Sequence, residues 1–426
     1  MIIITSPQEK LAGELSVPGD KSITHRAIML GALARGTTEV NNFLDADDCW
    51  STINCLRAMG VKISRKRQRL LIEGRNKKLL KPAGDLNAGN SGTTARLILG
   101  LLAGQNFKVK ITGDQSLQSR PMKRVIDPLE QMGAIFEEKT GNLPLTIKGS
   151  SLQPIVYKTP RASAQVKSAI LLAALYADGK TVIEEPCKSR NHTELMLACF
   201  GVEPEVENNK VAINGGISLK SSQVMVPGDL SAAAFLIVAA AIIPGSELLI
   251  KEVGVNATRK GIIEVLLKMG AHIELQDEKI WGKEPVANIY VKGGARLKGV
   301  NVGGEMIPRL IDEIPSLAVA ASLAEGETKI SDASELRIKE SDRIATLAAQ
   351  LNRMGARIAE TEDGMIIKGT ESLQGTDLEA CGDHRIAMAL AVAGLVAKGE
   401  TAICGAEVIN ISFPGFMQTL RSLVDK

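Results

Sequence analysis

Aromatic residues are scarce: Phe, Tyr and Trp together make up 3% of the 426 residues. Any core must therefore be packed from Leu, Ile, Val and Ala. Long apolar runs are missing too. The longest, Ala232 to Ile243, has 12 residues, whereas a membrane span needs about 20, so it reads as a buried helix. The six cysteines (49, 55, 187, 199, 381, 404) form no CxxC, and none has a His at zinc-ligand spacing. They are expected to be reduced, mostly buried thiols of a cytoplasmic protein. The opening MIIITSPQEK has no basic stretch before its apolar residues, so a signal peptide is not expected. There is no GK[ST] of a phosphate loop and no nucleophile elbow. A net charge of +3 names no partner. Residues 62–81 hold nine Lys or Arg and one acid, Glu73, but no aromatic residue for stacking on bases. The segment reads as a solvated hairpin, and nucleic acid is not an expected partner.

What the chain does contain is a unit repeated six times. Its marker is a helix end, a Gly and a strand: ARGTTEV, AGQNFKV, ADGKTVI, IPGSELL, AEGETKI and AKGETAI, pivoting on Gly36, Gly104, Gly179, Gly245, Gly326 and Gly399. Five of these are followed by a Leu-bearing helix, a Gly and another strand: LRAMGVKI, LEQMGAIF, LACFGVEP, LLKMGAHI and LNRMGARI. A Gly just past a helix end takes the left-handed conformation cheaply. The sixth copy lacks its strands. The N-terminal MIIITSPQEKLAGELSV is expected to supply that strand pair. VPGDKS at 17–22 recurs as VPGDLS at 226–231, with three units between the copies. The division expected is 20–228 for one domain, and 1–19 with 229–426 for the other. Two VPGD crossings would join these pseudo-equivalent domains, and a cleft between them suits a small ligand. A unit averages about 71 residues, 426 divided by six, longer than an ordinary solenoid repeat.

Chemistry-bearing residues gather at helix starts. In PGDKSITHRAIML, Ser22 can cap a helix from about Ile23, with Lys21 and Arg26 around its first turns. A helix N-terminus with a hydroxyl and two cations suits an anion. The sister segment has Leu230 in place of Lys21, so VPGD reads as structural and the lysine as functional. His25 reads as a packed helix residue. NAGNSGTTARLILG places Asn90, Gly92 and neighbouring hydroxyls before a Leu-rich helix, where capping explains them as well as a ligand does. Arg120 precedes Pro121, the expected start of another helix. Ser163, Ala164 and Gln165 open the helix of RASAQVKSAILLAAL, and Arg190 precedes that of SRNHTELML. In the second half, Asp312 stands before SLAVAASLA. Lys339, Glu340, Asp342 and Arg343 stand at a helix start in ELRIKESDR, where surface pairing is the plain alternative. Asp383, His384 and Arg385 precede a wholly apolar helix. Such dipoles and cations would serve a polyanionic, phosphorylated small molecule. Lys21, Asp312 and Glu340 form the available acid–base set. With cations gathered in both halves, an empty cleft is expected to repel itself and rest open.

With these motifs the chain resembles the 5-enolpyruvylshikimate-3-phosphate synthase family over its full length. The segments that carry the resemblance are PGDKSITHRA, NAGNSGTTAR, SLQSRPM, SAQVKSA, RNHTE, DEIPSLAVAA, LRIKESDR and DHRIAMA. SAQVK and RNHTE look like the bacterial branch often associated with glyphosate tolerance. The resemblance implies an α/β fold of two domains, each of three βαβαββ units (an inside-out α/β barrel), joined by two crossing strands. It implies transfer of the enolpyruvyl group of phosphoenolpyruvate to the 5-hydroxyl of shikimate 3-phosphate, by addition and elimination in an interdomain cleft. No metal and no organic cofactor are implied, and the protein is expected to be a cytoplasmic monomer. Carried over by motif, Lys21, Asn90, Gly92, Arg120, Gln165, Arg343 and Arg385 would meet phosphoenolpyruvate. Lys21, Ser22, Arg26, Ser163, Ala164, Gln165, Arg190, Asp312 and Lys339 would meet shikimate 3-phosphate. Asp312 and Glu340 would move protons.

The chain departs from the family's pattern in places. Many relatives have a Lys shortly before the C-terminal Phe-Pro, where this chain has Ile411. Several stack a Tyr on the shikimate ring, where this chain has His192. Tolerant relatives often have Ala at the position of Gly92. The sister family, UDP-N-acetylglucosamine enolpyruvyl transferase, usually has Lys-Asn where this chain has Lys21-Ser22, and a loop Cys. No cysteine lies between Cys55 and Cys187. A non-catalytic protein that binds phosphorylated ligands is a third reading. Asp312 and Glu340 argue against it, because anion binding gains nothing from carboxylates.

Overall fold

The computed structural model describes residues 1–138 and 140–424. It divides into two compact units: residues 19–226 with 280–284, and residues 1–18 with 227–279 and 285–424. The strands form six separate sheets, five four-stranded and one three-stranded, none of which closes into a hydrogen-bonded barrel among the described residues.

The second sheet of the 19–226 unit shows the pattern. Strand Leu86–Asn87 leads into helix Gly92–Ala103, strand Lys108–Thr112, helix Lys123–Gln131 and the hairpin of Ile135–Phe136 with Leu145–Lys148. Leu86 pairs parallel with Ile111, as a helical crossover requires, and the hairpin then adds antiparallel strands. The third sheet repeats this order around helices Ala164–Ala174 and His192–Cys199. Strands alternate in burial, as in Arg69–Glu73, where Leu70 and Ile72 face inward.

The strands at the two VPGD crossings exchange partners. Ala12–Ser16 precedes helix Lys21–Leu33 in sequence, yet it pairs in parallel with Glu247–Gly254, the strand after helix Leu230–Ile242. Gln223–Met225 precedes helix Leu230–Ile242, yet it pairs in parallel with Thr37–Asn41, the strand after helix Lys21–Leu33. This corrects the expectation that the N-terminal strand pair closes the sixth unit. Only Ile2–Thr5 does so, running antiparallel to Thr401–Cys404. Ala12–Ser16 is needed as the first strand of the fourth sheet, because the strand that precedes that unit in the chain is given to the first.

Helix Leu230–Ile242 carries the longest apolar run and is buried from Leu230 to Ala241. No described helix is long and apolar enough to cross a membrane. The glycines after the second-marker helices take positive φ, as at Gly270 with φ 97°. Gly104 is different. Its φ is −91°, and an added Cβ would lie 2.2 Å from the Tyr176 ring, so it is small for contact rather than for conformation. Gly100 serves packing in the same way: a Cβ there would lie 2.3 Å from the carbonyl oxygen of Ala169. Its absence lets helices Gly92–Ala103 and Ala164–Ala174 touch, which brings their N-terminal residues together.

Two of the six cysteines, Cys49 and Cys55, are buried. Cys187, Cys199 and Cys404 are half-buried and Cys381 is exposed. The expectation of mostly buried thiols is corrected accordingly. Cys381 sits in a turn at φ 51°, ahead of a helix start, which leaves it at the surface.

Candidate active site

In the 19–226 unit, the first helix starts at Lys21, and its cap is Asp20, whose Oδ1 accepts the N–H of Ile23 at 2.8 Å. Ser22 is therefore not the cap: the aspartate two residues earlier already takes the free amide. Asp229 caps helix Leu230–Ile242 in the same way, accepting from the N–H of Ser231. The shared VPGD is thus a capping device, and Lys21 is the addition. Its Nζ lies 3.0 Å from Asp48 Oδ2.

Arg26 is buried and held from three sides. Nε donates to Thr193 Oγ1 at 2.7 Å, Nη2 to Ser168 Oγ at 2.7 Å and Nη1 to the Ser22 carbonyl at 2.9 Å. Three of its five N–H bonds are thereby engaged, leaving two for a ligand. Burial pulls its pKa down to about 10 against the pull of Glu194 and Asp20, so it stays charged at neutral pH. His25 is fully buried, with Nδ1 2.8 Å from Thr52 Oγ1, and burial pulls its pKa to about 3. It is a neutral core residue.

The second cluster surrounds the start of helix Gly92–Ala103. Ser91 caps it, accepting from the N–H of Thr94. Asn90 is thereby freed for other partners: Nδ2 donates to Asp114 at 2.7 Å, and Oδ1 accepts from Arg120 Nη2 at 2.9 Å. Arg120 is buried, but the helix after it starts at Lys123, not Pro121. Its guanidinium reaches back to Asn90 and Ser116 instead. Gln165 joins the cluster from its own helix: Nε2 donates to Thr93 Oγ1 at 3.1 Å, and Oε1 accepts from Arg96 Nη1 at 3.2 Å. Arg96, an unremarked residue of the TTAR segment, is a cation that sequence reasoning missed. A Cβ at Gly92 would meet Arg96 Nη1 at 2.7 Å and Arg120 Nη1 at 3.6 Å.

Ser163 caps helix Ala164–Ala174 through a long 3.5 Å contact with the N–H of Val166. Its own N–H donates to Glu185 Oε1 at 3.3 Å. Arg190, half-buried, stands two residues before helix His192–Cys199. Lys167 of SAQVK pairs with Glu185 and with Glu194 of RNHTE, both at 2.8 Å. The two branch-specific motifs are joined by this buried contact.

The other unit carries a second set. Arg343, 1% exposed, donates to Asp383 Oδ2 at 2.8 Å and Glu340 Oε2 at 2.7 Å, with Asp312 Oδ1 at 3.4 Å. Asp312 also faces Lys339 at 3.8 Å and Arg385 at 3.8 Å, and its carbonyl accepts from Arg385 Nη1 at 3.0 Å. Arg343, Asp383 and Arg385 are buried, and Asp312, Lys339 and Glu340 are half-buried, so plain surface pairing does not describe the set. Desolvation pulls Arg343 down, but Asp383 and Glu340 outweigh it and hold its pKa above the ordinary value. Desolvation pushes Asp383 up, and Arg343 more than reverses that. Lys339 is 28% exposed, yet desolvation, only partly offset by Asp312, lowers its pKa. Asp342 and Asp383 cap the helices beginning at Arg343 and His384, so His384 lies inside its helix.

Lys21, Arg343, Lys339 and Arg385 all face carboxylates of their own unit. The expected self-repulsion is lessened at these four residues, while Arg26 and Arg120 are held by neutral groups. The structure brings together Asn90, Gly92, Arg120 and Gln165 in one unit and Asp312, Lys339, Glu340, Arg343 and Arg385 in the other. Among the described residues no group of His, Cys, Asp and Glu side chains is arranged to hold a metal ion.

The sequence model of a family described as EPSP synthase (3-phosphoshikimate 1-carboxyvinyltransferase) matches residues 5–420. A 3-phosphoshikimate 1-carboxyvinyltransferase of Thermoanaerobacter sp. (strain X514) is 55% identical over 414 residues, 97% of this chain and 98% of the relative. One from Desulforamulus reducens is 53% identical over 428 residues, covering 100% of both chains. A solved structure of EPSP synthase from Acinetobacter baumannii superposes with a TM-score of 0.88 at 43% identity, covering 99% of this chain and 98% of that one.

Proposed function

The chain belongs to the EPSP synthase family, and on that premise we propose that it transfers the enolpyruvyl group of phosphoenolpyruvate to the 5-hydroxyl of shikimate 3-phosphate, releasing phosphate. The observation that carries this reading is the family match across residues 5–420.

The chemistry needs two proton transfers and a sink for anionic charge. In the addition step the 5-hydroxyl oxygen bonds to C2 of phosphoenolpyruvate, its proton leaves to a base, and C3 gains a proton. In the elimination step C3 loses a proton and the C2–O bond to phosphate breaks. Asp312 and Glu340 are the proposed proton carriers, with Lys21 as the third member of the set. Both carboxylates touch Arg343, which supports a shared site for them. Lys21, Arg120, Arg343 and Arg385, with Asn90, Gly92 and Gln165, are proposed to hold phosphoenolpyruvate and the charge that grows on its phosphate. Ser163, the amide of Ala164, Gln165 and Arg190 suit the 3-phosphate, because a helix N-terminus offers unpaired N–H groups to an anion. Ser22 and Arg26 take the shikimate carboxylate, and Lys339 a ring hydroxyl or phosphate.

Phosphate release from phosphoenolpyruvate tests this reading. It is expected with shikimate 3-phosphate as acceptor and not with UDP-N-acetylglucosamine. Binding of shikimate 3-phosphate with no phosphate release would leave only the non-catalytic reading. The enzyme is further proposed to act as a cytoplasmic monomer on free small molecules, without nucleic acid. Its free cysteines suit a reducing compartment. The basic hairpin spends charge on local partners, Arg65 on Asp45 at 2.7 Å and Arg69 on Glu39 at 3.1 Å.

A further inference from the structure

Glu185 lies between two segments proposed to meet the 3-phosphate, yet it belongs to neither. It follows strand Lys180–Glu184 and is 2% exposed. Its Oε1 accepts the N–H of Ser163 at 3.3 Å, and its Oε2 accepts the N–H of Ser189 at 3.3 Å. Ser163 caps helix Ala164–Ala174, and Ser189 directly precedes Arg190. One carboxylate thus spans both backbones. Its charge is balanced by Lys167, 2% exposed, whose Nζ lies 2.8 Å from Glu185 Oε2 and donates to the Ser189 carbonyl at 3.4 Å. The same ammonium lies 2.8 Å from Glu194, which acts electrostatically on Arg26. Lys167 thus joins two buried carboxylates in one group. An isolated buried charge is costly, so the group holds together as a unit. The Ser189 hydroxyl is buried and has no partner within the protein, leaving one polar group at this point uncommitted.

We propose that Glu185, charge-balanced by Lys167, is a positioning residue that fixes Ser163 and Arg190 relative to one another so that both act on the phosphate of the acceptor. It does not touch the reacting atoms. The inference rests on shikimate 3-phosphate being that acceptor.

The test uses the full-length enzyme and two readouts: the dissociation constant and stoichiometry for shikimate 3-phosphate by calorimetry, and the Michaelis constants. Glu185→Asp keeps the charge beside Lys167 but shortens the arm, so it cannot reach both amides. It is expected to weaken shikimate 3-phosphate binding by roughly ten- to a hundredfold, since small misplacements of binding groups are that costly. The Michaelis constant for phosphoenolpyruvate should stay within about threefold, a change too small to signal a lost contact. A merely structural role would lower the fraction of competent sites and leave the dissociation constant unchanged. If Glu185→Asp does not fold, Lys167→Met with Glu185→Gln removes the buried pair together, with Glu194 still near Arg26, and should show the same weakening. Unchanged affinity in either folded variant overturns the inference alone. A wild-type enzyme that binds no shikimate 3-phosphate overturns the substrate reading and the inference with it.

Discussion

At the scale of single residues, the two VPGD copies differ by one added charge. Asp20 and Asp229 cap their helices alike, while the next position is Lys21 in one and buried Leu230 in the other. Lys21→Ala should lower turnover by about 10²–10³, the usual effect of deleting one well-placed electrostatic contact. It also removes the partly buried partner of Asp48, so stability should fall by about 1–3 kcal/mol, as for a lost hydrogen bond to a charged group. Steady-state kinetics and thermal unfolding on one sample separate the two effects. Near-normal turnover would remove Lys21 from the site. His25 makes a prediction about acid. Its folded pKa of about 3 lies below the usual value of 6.5, so the unfolded chain binds the extra proton. Stability attributable to His25 is then complete above pH 6.5 and lost as pH falls toward 3, by at most about 1.4 kcal/mol per pH unit. Urea midpoints measured from pH 7 to 4 should fall less steeply in His25→Gln than in wild type; parallel slopes would contradict this. Gly92→Ala would press first on Arg96 and then on Arg120. The added methyl should raise the inhibition constant for glyphosate, longer than phosphoenolpyruvate, by roughly ten- to a hundredfold, as overpacking of about 1–3 kcal/mol implies. Equal changes in that constant and in the Michaelis constant for phosphoenolpyruvate would mean that the loop does not discriminate by shape.

At the scale of elements, the exchange of edge strands makes the two units unequal. Every sheet of the 19–226 unit draws its strands from within that span, whereas the other unit needs Ile2–Thr5 and Ala12–Ser16. A fragment of residues 19–226 should therefore unfold cooperatively on its own, even without the Glu284 that pairs with His192 at 2.6 Å. A 227–426 fragment should not fold until a 1–18 peptide is added. Circular dichroism melts of the fragments check this, and a stable 227–426 fragment would contradict the exchange. The exchange was not legible in the sequence. Both VPGD segments follow a short strand and open a helix, and nothing local says which helix a strand will serve. The six glycine-marked units were legible, because a Gly between a helix and a strand is visible in the letters. So were Asn90, Arg120, Asp312, Glu340 and Arg343, since each sits within three residues of a helix start among polar neighbours. Arg96 and Glu185 were not. Arg96 looks like one more helix residue, and the role of Glu185 exists only once Ser163 and Ser189 are folded against it.

At the scale of the whole molecule, the two units differ in charge: residues 19–226 with 280–284 hold 30 Lys and Arg against 20 Asp and Glu, and the rest of the chain holds 21 against 28. The proposed reaction also asks something different of each. The 19–226 unit offers helix starts and arginines suited to holding anions. The other offers Asp312 and Glu340, both in contact with Arg343 and suited to moving protons. The central claim is that the enolpyruvyl group, not the phosphoryl group, is transferred. Phosphoenolpyruvate labelled with ¹⁸O at its bridging oxygen distinguishes the two. After turnover with shikimate 3-phosphate, mass spectrometry should find the label in the released phosphate, because the C2–O bond breaks. The other product should be shikimate 3-phosphate carrying a new enol ether. Label retained in pyruvate, or phosphate released without the acceptor, would contradict the account.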